Sequence, residues 1–106
     1  MPMTFSVRQF EPCSATNTVT ATISIEGNPW GVAVSPDGAT VYVANSSALA
    51  EVVAIDAATN EVIGTFPLST DSESVGVALS PDGATLYATD YDSSSGNPGS
   101  VWVITL

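Results

Sequence analysis

The sequence predicts an all-β protein built from repeated antiparallel sheets. The stretch GVAVSPDGATVYVAN at 31–45 nearly recurs as GVALSPDGATLYATD at 76–90. The segments around these stretches are short, rich in Val, Ile, Thr and Tyr, and bounded by turn-forming residues, which is typical of strands. No useful length of the chain shows the i, i+3, i+4, i+7 apolar pattern of a helix. A repeated sequence unit of this kind predicts a repeated structural unit.

Four kinds of strand follow one another, and we label them A to D. Their expected ranges are about 30–36 and 75–81 for A, 40–45 and 85–89 for B, 50–56 and 100–106 for C, and 17–25 and 61–68 for D. Along the chain the predicted order is therefore D-A-B-C-D-A-B-C. It corresponds to two four-stranded antiparallel units, of which the second still needs a strand D.

The sequence Ser-Pro-Asp-Gly joins strand A to strand B in both repeats, at 35–38 and 80–83. Proline presets φ at the second turn position, the aspartate side chain accepts local N–H groups, and glycine accepts a positive φ. Such a turn links two antiparallel strands as a hairpin. We therefore expect Asp37 and Asp82 to be turn residues and not catalytic groups.

Both faces of these sheets require cover. Strand A places Val32 and Val34 on one face and Gly31 and Ala33 on the other, and strand C is apolar throughout residues 52–55. A sheet with one solvated face would instead alternate apolar with polar residues. Sheets stacked face to face around an axis satisfy this requirement, and four-stranded sheets stacked in this way are the blades of a β-propeller.

The repeat also resembles the YVTN β-propeller repeat family. PWGVAVSPDGATVYVANS followed by VVAIDAATNEVIGTF carries the resemblance, with Tyr42-Val-Ala-Asn45 at the signature position and Tyr87-Ala-Thr-Asp90 as a looser copy. It covers roughly Thr16 to Leu106. The resemblance implies a propeller of seven or a similar number of blades, which acts as an interaction scaffold more often than as an enzyme and has no universal catalytic set. It also favours an extracellular, cell-surface or periplasmic location. The departure is length, because two repeats fall short of the ~4–8 blades of a closed propeller.

The expected domain organisation is an N-terminal extension at 1–15 and a two-blade unit at 16–106, with repeats at about 30–68 and 75–106 and a terminal D strand at 16–25. The first repeat is complete, whereas the second lacks strand D. We hypothesise that strand D of one subunit completes the last blade of its neighbour. Three copies would then form a six-bladed ring and four an eight-bladed ring. A filament, or a fragment of a longer lactonase-like or dehydrogenase-associated propeller enzyme, stays open as an alternative.

Composition narrows the function classes. Eleven acidic residues face a single base, Arg8, and the net charge is −10. This balance argues against nucleic acid and anionic membrane surfaces as partners. No apolar stretch approaches the ~20 residues that span a bilayer, and the N-terminal segment lacks the pattern of a signal peptide.

Without His or Lys, and with Cys13 alone, the usual general bases and nucleophile pairs are absent, so we expect a non-enzymatic protein without cofactors. The acidic loop from Asp90 to Asn97 has a superficial likeness to a calcium loop. However, Gly96 falls one position late for an EF-hand, and Val101 stands where that loop has its glutamate. We expect a solvated loop there and no metal site.

Loops on a rigid scaffold are where binding sites tend to lie. The candidate binding residues belong to the D–A and B–C connections, which share one face of a propeller: Asn28, Trp30, Asp71, Glu73, Asp90, Tyr91, Asp92 and Asn97. The candidate subunit interface comprises strand D and the last strand C: Val19, Ile23, Ile25, Val101, Trp102, Val103 and Ile104. The expected partner is a further copy of the chain in a trimer or tetramer, and a protein or a small ligand is the remaining partner class.

Overall fold

The computed structural model describes residues 17–47, 49–70, 72–91 and 98–106. Every regular element in these ranges is a β-strand. In chain order they are β1 (Asn28–Val34), β2 (Thr40–Ser46), β3 (Ala50–Asp56), β4 (Glu61–Ser69), β5 (Glu73–Leu79), β6 (Thr85–Tyr91) and β7 (Ser100–Thr105). The predicted all-β class is confirmed. The expected extension at 1–15 lies outside the described residues.

The strands form one four-stranded and one three-stranded antiparallel sheet, in the orders β1-β2-β3-β4 and β5-β6-β7. We call them the first and the second sheet. They match the predicted A-B-C-D and A-B-C units. The A strands begin earlier than expected, because Asn28 and Pro29 already pair with Ser46 and Asn45 ahead of a register shift.

Both Ser-Pro-Asp-Gly turns have the predicted structure. Gly38 has φ 76° and Gly83 has φ 74°, the left-handed region that glycine adopts without steric cost. The Asp37 carboxylate accepts the Ser35 hydroxyl at 2.6 Å and the Ala39 N–H at 2.9 Å, and the second turn repeats these bonds. The two aspartates therefore organise the turns.

The core lies between the two sheets. Tyr42, Val52 and Ala54 of the first sheet pack against Leu86 and Ala88 of the second. Half-buried apolar side chains surround them: Phe66, Leu68, Val77, Leu79, Trp102 and Ile104. Full burial of a large apolar side chain contributes about 1.5–3 kcal/mol, so this inter-sheet core accounts for the face-to-face stacking.

The two A strands approach each other closely within this stack. A Cβ atom on Gly31 would lie 2.9 Å from the carbonyl oxygen of Val75 and 3.1 Å from the Cα of Gly76. Such distances are too short for a side chain, so the contact between β1 and β5 requires glycine at position 31.

Residues 17–25, the predicted terminal D strand, belong to neither sheet within a single chain. The segment lies instead against the face of the first sheet that points away from the second sheet, through Ile23 and Ile25. Pairing of this segment with another chain stays a prediction.

Candidate interaction surfaces

The connections between the blades meet at one end of the two sheets. Asn28 pairs with Ser46, Ser46 with Ala50, and Ala50 with Ser69, so these strand ends lie side by side. The Ser74 N–H donates to the Ser46 hydroxyl oxygen at 3.0 Å, and both residues are buried. The D–A and B–C connections therefore share one end of the two sheets, which we call the loop end, and a buried hydrogen bond joins the sheets there.

Four of the predicted binding residues lie at this end with different environments. Asn28 and Trp30 are exposed on β1. The Tyr91 hydroxyl donates to the Glu73 carboxylate at 3.3 Å. The negative charge of Glu73, reinforced by this hydrogen bond, raises the pKa of Tyr91 above its usual value of 10.0. Three further candidates, namely Asp71, Asp92 and Asn97, lie outside the described residues.

Asp90 is a buried connector between β6 and β7. Its Oδ1 accepts the Ser100 N–H at 2.8 Å, and its Oδ2 accepts the Trp102 indole N–H at 2.8 Å. Both carboxylate oxygens therefore have partners within the chain, and the residue ties two strands together at the loop end. Its expected role in ligand binding stays a prediction.

The first sheet carries a different set at the corresponding positions. Asn45 replaces Asp90 and Val53 replaces Trp102, because Val53 pairs with Val43 as Trp102 pairs with Ala88. The Asn45 side-chain nitrogen donates to the Glu26 carbonyl and to the Glu51 carboxylate, each at 2.9 Å.

The oxygen of the same Asn45 amide is buried and has no hydrogen-bond partner among the described residues. A shallow pocket of about 330 Å³ lies beside Glu26 and Glu51, the two partners of this amide. It is lined by Ser24, Ile25, Glu26, Ser47, Glu51, Val53, Val62 and Thr65. Val53, the counterpart of Trp102 in the second sheet, is part of this lining.

The predicted subunit-interface residues fall into three groups. Val19, Val101 and Val103 are exposed. Ile23 and Ile25 are half-buried against the first sheet, whereas Trp102 and Ile104 face the inter-sheet core of the chain itself. Successive residues of β7 therefore point alternately to the core and to solvent, as strand geometry requires.

The predicted interface omits three exposed apolar residues, Val32, Val34 and Tyr87, although the sequence already indicated that the face with Val32 and Val34 requires cover. The repeat held the signal for them, because each has a counterpart in the other repeat that packs into the inter-sheet core. In the part of the chain that is described, no group of three or more His, Cys, Asp or Glu residues is placed to hold a metal ion. The described residues also contain no helix able to cross a membrane.

Comparison with protein-family profiles and with curated proteins gives no match. Solved structures similar to this chain include the following two. Hydrazine synthase of Kuenenia stuttgartiensis is 26% identical over 76% of this chain and 24% of its own, with a TM-score of 0.53. The WD40 repeats of RRP9 are 14% identical over 78% of this chain and 27% of their own, with a TM-score of 0.54.

The chain thus spans about a quarter of the length of each matched structure. WD40 repeats build β-propellers, so the likeness supports propeller-type blades, in agreement with the predicted fold class. No family profile places the chain in the YVTN family, and that resemblance stays an expectation.

Proposed function

We propose that this protein is a non-enzymatic propeller scaffold whose copies assemble by strand exchange and present loops for binding. The observation that carries the proposal is a mismatch within the chain. The second sheet has three strands where the first has four, and residues 17–25 resemble the missing fourth strand but belong to neither sheet.

Residues 17–25 correspond position by position to residues 60–68, which include all of β4 except its last residue. Asn17 and Asn60 are the two non-glycine residues with positive φ among the described residues, at 48° and 61°. Six and eight residues after each asparagine stand apolar side chains, Ile23 and Ile25 in the first case and Phe66 and Leu68 in the second. The same turn conformation followed by the same spacing supports a strand of type D at 17–25.

The edge of β7 is the place where this strand fits. Within the described residues β7 pairs with β6 on one side, and its other side carries no strand. An exposed edge offers unpaired N–H and C=O groups to another chain. The register follows from the first sheet, where Val52 pairs with Phe66 and Ala54 with Gly64. Carried over, Val101 would lie opposite Ile23, and Val103 opposite Ala21, of a second copy.

Exchange of this kind joins two different surfaces, so it is heterologous and generates a ring when the rotation closes. Three copies would give six blades and four would give eight, within the ~4–8 blades of known propellers. The D–A and B–C connections of every copy would then lie on one face of the ring. The surplus of carboxylates favours cationic or basic partners there.

Native mass spectrometry and light scattering over a dilution series test the assembly. We expect a discrete trimer or tetramer. A chain that is monomeric at all concentrations would refute the proposal and favour a blade pair that belongs to a longer propeller. A continuous ladder of sizes, seen as fibres by electron microscopy, would replace the ring by a filament.

Cysteine pairing tests the strand exchange itself, in a Cys13→Ser background. Residues opposite one another on antiparallel strands have Cα atoms about 4.5–5.5 Å apart, a distance that permits a disulfide. Ile23→Cys with Val101→Cys should therefore link chains into oligomers on non-reducing gels. Thr22→Cys with Val101→Cys is the matched control, because a one-residue shift moves the thiol to the other face of the strand. Equal cross-linking of both pairs would contradict the register.

A further inference from the structure

We infer that the outer faces of the two sheets form one junction between copies, in which Gly76 of one copy meets Trp30 and Gly31 of the next. By outer face we mean the side of each sheet that points away from the other sheet in the same chain. The inference rests on the proposed assembly and adds to it a second surface, since the exchange of one strand between chains does not by itself specify which sheet faces meet.

The outer face of the second sheet repeats the inner face of the first. Tyr42, Val52 and Ala54 are 8%, 0% and 5% exposed because the second sheet covers them. The strand pairings place Tyr87, Val101 and Val103 at the corresponding positions, since Tyr42 pairs with Ala54 as Tyr87 pairs with Val103. These three are 41%, 64% and 66% exposed. The outer face of the second sheet therefore has the same kind of apolar surface, but no sheet of the same chain covers it.

The outer face of the first sheet repeats the inner face of the second. Val32, Val34, Val41, Val43, Val53 and Ile55 correspond to Val77, Leu79, Leu86, Ala88, Trp102 and Ile104. Within the chain, the second set packs beneath Tyr42, Val52, Ala54, Phe66 and Leu68. The first set is the surface on which an equivalent group of side chains would dock.

Part of that group is already in place. Ile23 and Ile25, the counterparts of Phe66 and Leu68, pack on Val43, Val53 and Ile55. The remaining members of the group would be the counterparts of Tyr42, Val52 and Ala54, which are the exposed side chains of the second sheet. A half-formed junction and its missing half thus lie on opposite sides of one molecule. Two copies in head-to-tail contact would complete it.

The close approach of the A strands supports the same contact. Within the chain, Gly31 leaves room for Val75 and Gly76. At the junction between copies, Gly76 takes the place of Gly31, and Trp30 and Gly31 take the places of Val75 and Gly76. In the single chain a Cβ on Gly76 would meet nothing nearer than the Thr89 hydroxyl at 3.2 Å, so the space on this side is open.

A difference between the two repeats at the loop end is compatible with this junction. Ser46 and Ser74, which share a buried hydrogen bond, correspond to Tyr91 and Pro29. Tyr91 has no hydroxyl next to its Cβ, so the acceptor that Ser46 provides is missing from the equivalent position. Proline at position 29 has no N–H that would require it. The junction between copies therefore leaves no buried donor unpaired at this point.

Gly76→Ala in a Thr89→Ala background tests the contact. The background removes the hydroxyl that a new Cβ would approach, and Ala44 already occupies the corresponding place in the first sheet. Overpacking of a close contact should weaken each junction by at least about tenfold. Sedimentation velocity measures this weakening, and circular dichroism checks that the strands are retained. Thr89→Ala alone is the control for the background.

Gly64→Ala serves as a matched glycine control, because a Cβ there meets nothing within 4 Å. Assembly should survive in this variant. In the unsubstituted chain, assembly should also protect Trp30 from acrylamide quenching, and Trp30→Phe identifies its share of the fluorescence.

The outcomes separate the two proposals. If the unsubstituted chain assembles and Gly76→Ala assembles equally well, with Trp30 still accessible, the stacked junction is refuted while strand exchange stands. If the unsubstituted chain is monomeric throughout, the proposed function fails first.

Discussion

The indole N–H of Trp102 donates to the buried carboxylate of Asp90 at 2.8 Å, joining β7 to β6 at the loop end of the second sheet. The same carboxylate accepts the Ser100 N–H, so one side chain fixes the start of the last strand. In the first sheet Asn45 and Val53 occupy these positions, and the amide contacts Glu26 and Glu51 instead. The same repeat position thus carries Asp90 in one sheet and Asn45 in the other, and the two side chains bind different partners.

Trp102→Phe should lower the free energy of unfolding by about 1–3 kcal/mol, because a buried carboxylate oxygen loses its donor. Urea denaturation followed by circular dichroism measures the change. A double-mutant cycle with Asp90→Asn isolates the pair from the packing of the ring. Additive effects in that cycle would show that the hydrogen bond contributes little and that the indole acts through packing alone.

Ser46→Ala should destabilise the contact between the two sheets. It removes the acceptor of the buried Ser74 N–H, and an unpaired buried donor costs about 1–3 kcal/mol. Adding Ser74→Pro should recover part of the loss, because Pro29 is tolerated at the corresponding position and proline has no N–H. Thermal unfolding compares the variants. If the double variant recovers no stability, the unpaired N–H of residue 74 is not the cause of the loss.

Asp37→Asn with Asp82→Asn should flatten the acid dependence of stability. Hydrogen bonds from Ser35 and Ala39 hold the pKa of Asp37 below its usual value of 3.8, and Ser80 and Ala84 do the same for Asp82. A lowered pKa in the folded state stabilises it above the unfolded pKa, and this contribution is lost as the pH falls through the folded value.

Denaturant unfolding from neutral pH to below pH 3.8 checks this expectation. The doubly substituted chain should lose less stability on acidification than the unsubstituted chain. Identical pH profiles would show that the two turns do not contribute to acid sensitivity.

Glu73→Gln should lower the pKa of Tyr91. The glutamate carboxylate disfavours the tyrosinate by its charge and accepts the hydroxyl hydrogen bond, and the substitution removes the charge. Ultraviolet absorbance titration follows the ionisation of tyrosine. Glu61→Gln removes a carboxylate from β4, away from this pair, and is the matched control. An unchanged titration of Tyr91 in Glu73→Gln would contradict a direct interaction in solution.

The blade architecture was predictable from the sequence because its signals are local. Residues 35–38 carry their own turn chemistry, and the segments on either side of each turn are rich in the Val, Tyr and Thr that favour strands. The environments of the candidate site residues were harder to predict from the sequence. Asp90 appeared as a loop carboxylate, yet it is buried, and the indole N–H of Trp102 from another strand donates to one of its oxygens.

By itself the sequence determined the strand types, their order and the two Ser-Pro-Asp-Gly turns, since these depend on neighbours in the chain. The tertiary structure decided which faces are covered, where Asn45 and Asp90 find their partners, and that residues 17–25 lie beside a sheet without joining it. Those properties depend on contacts between residues far apart in sequence. Because the repeated strands are chemically alike, only their packing distinguishes a covered Tyr42 from an exposed Tyr87.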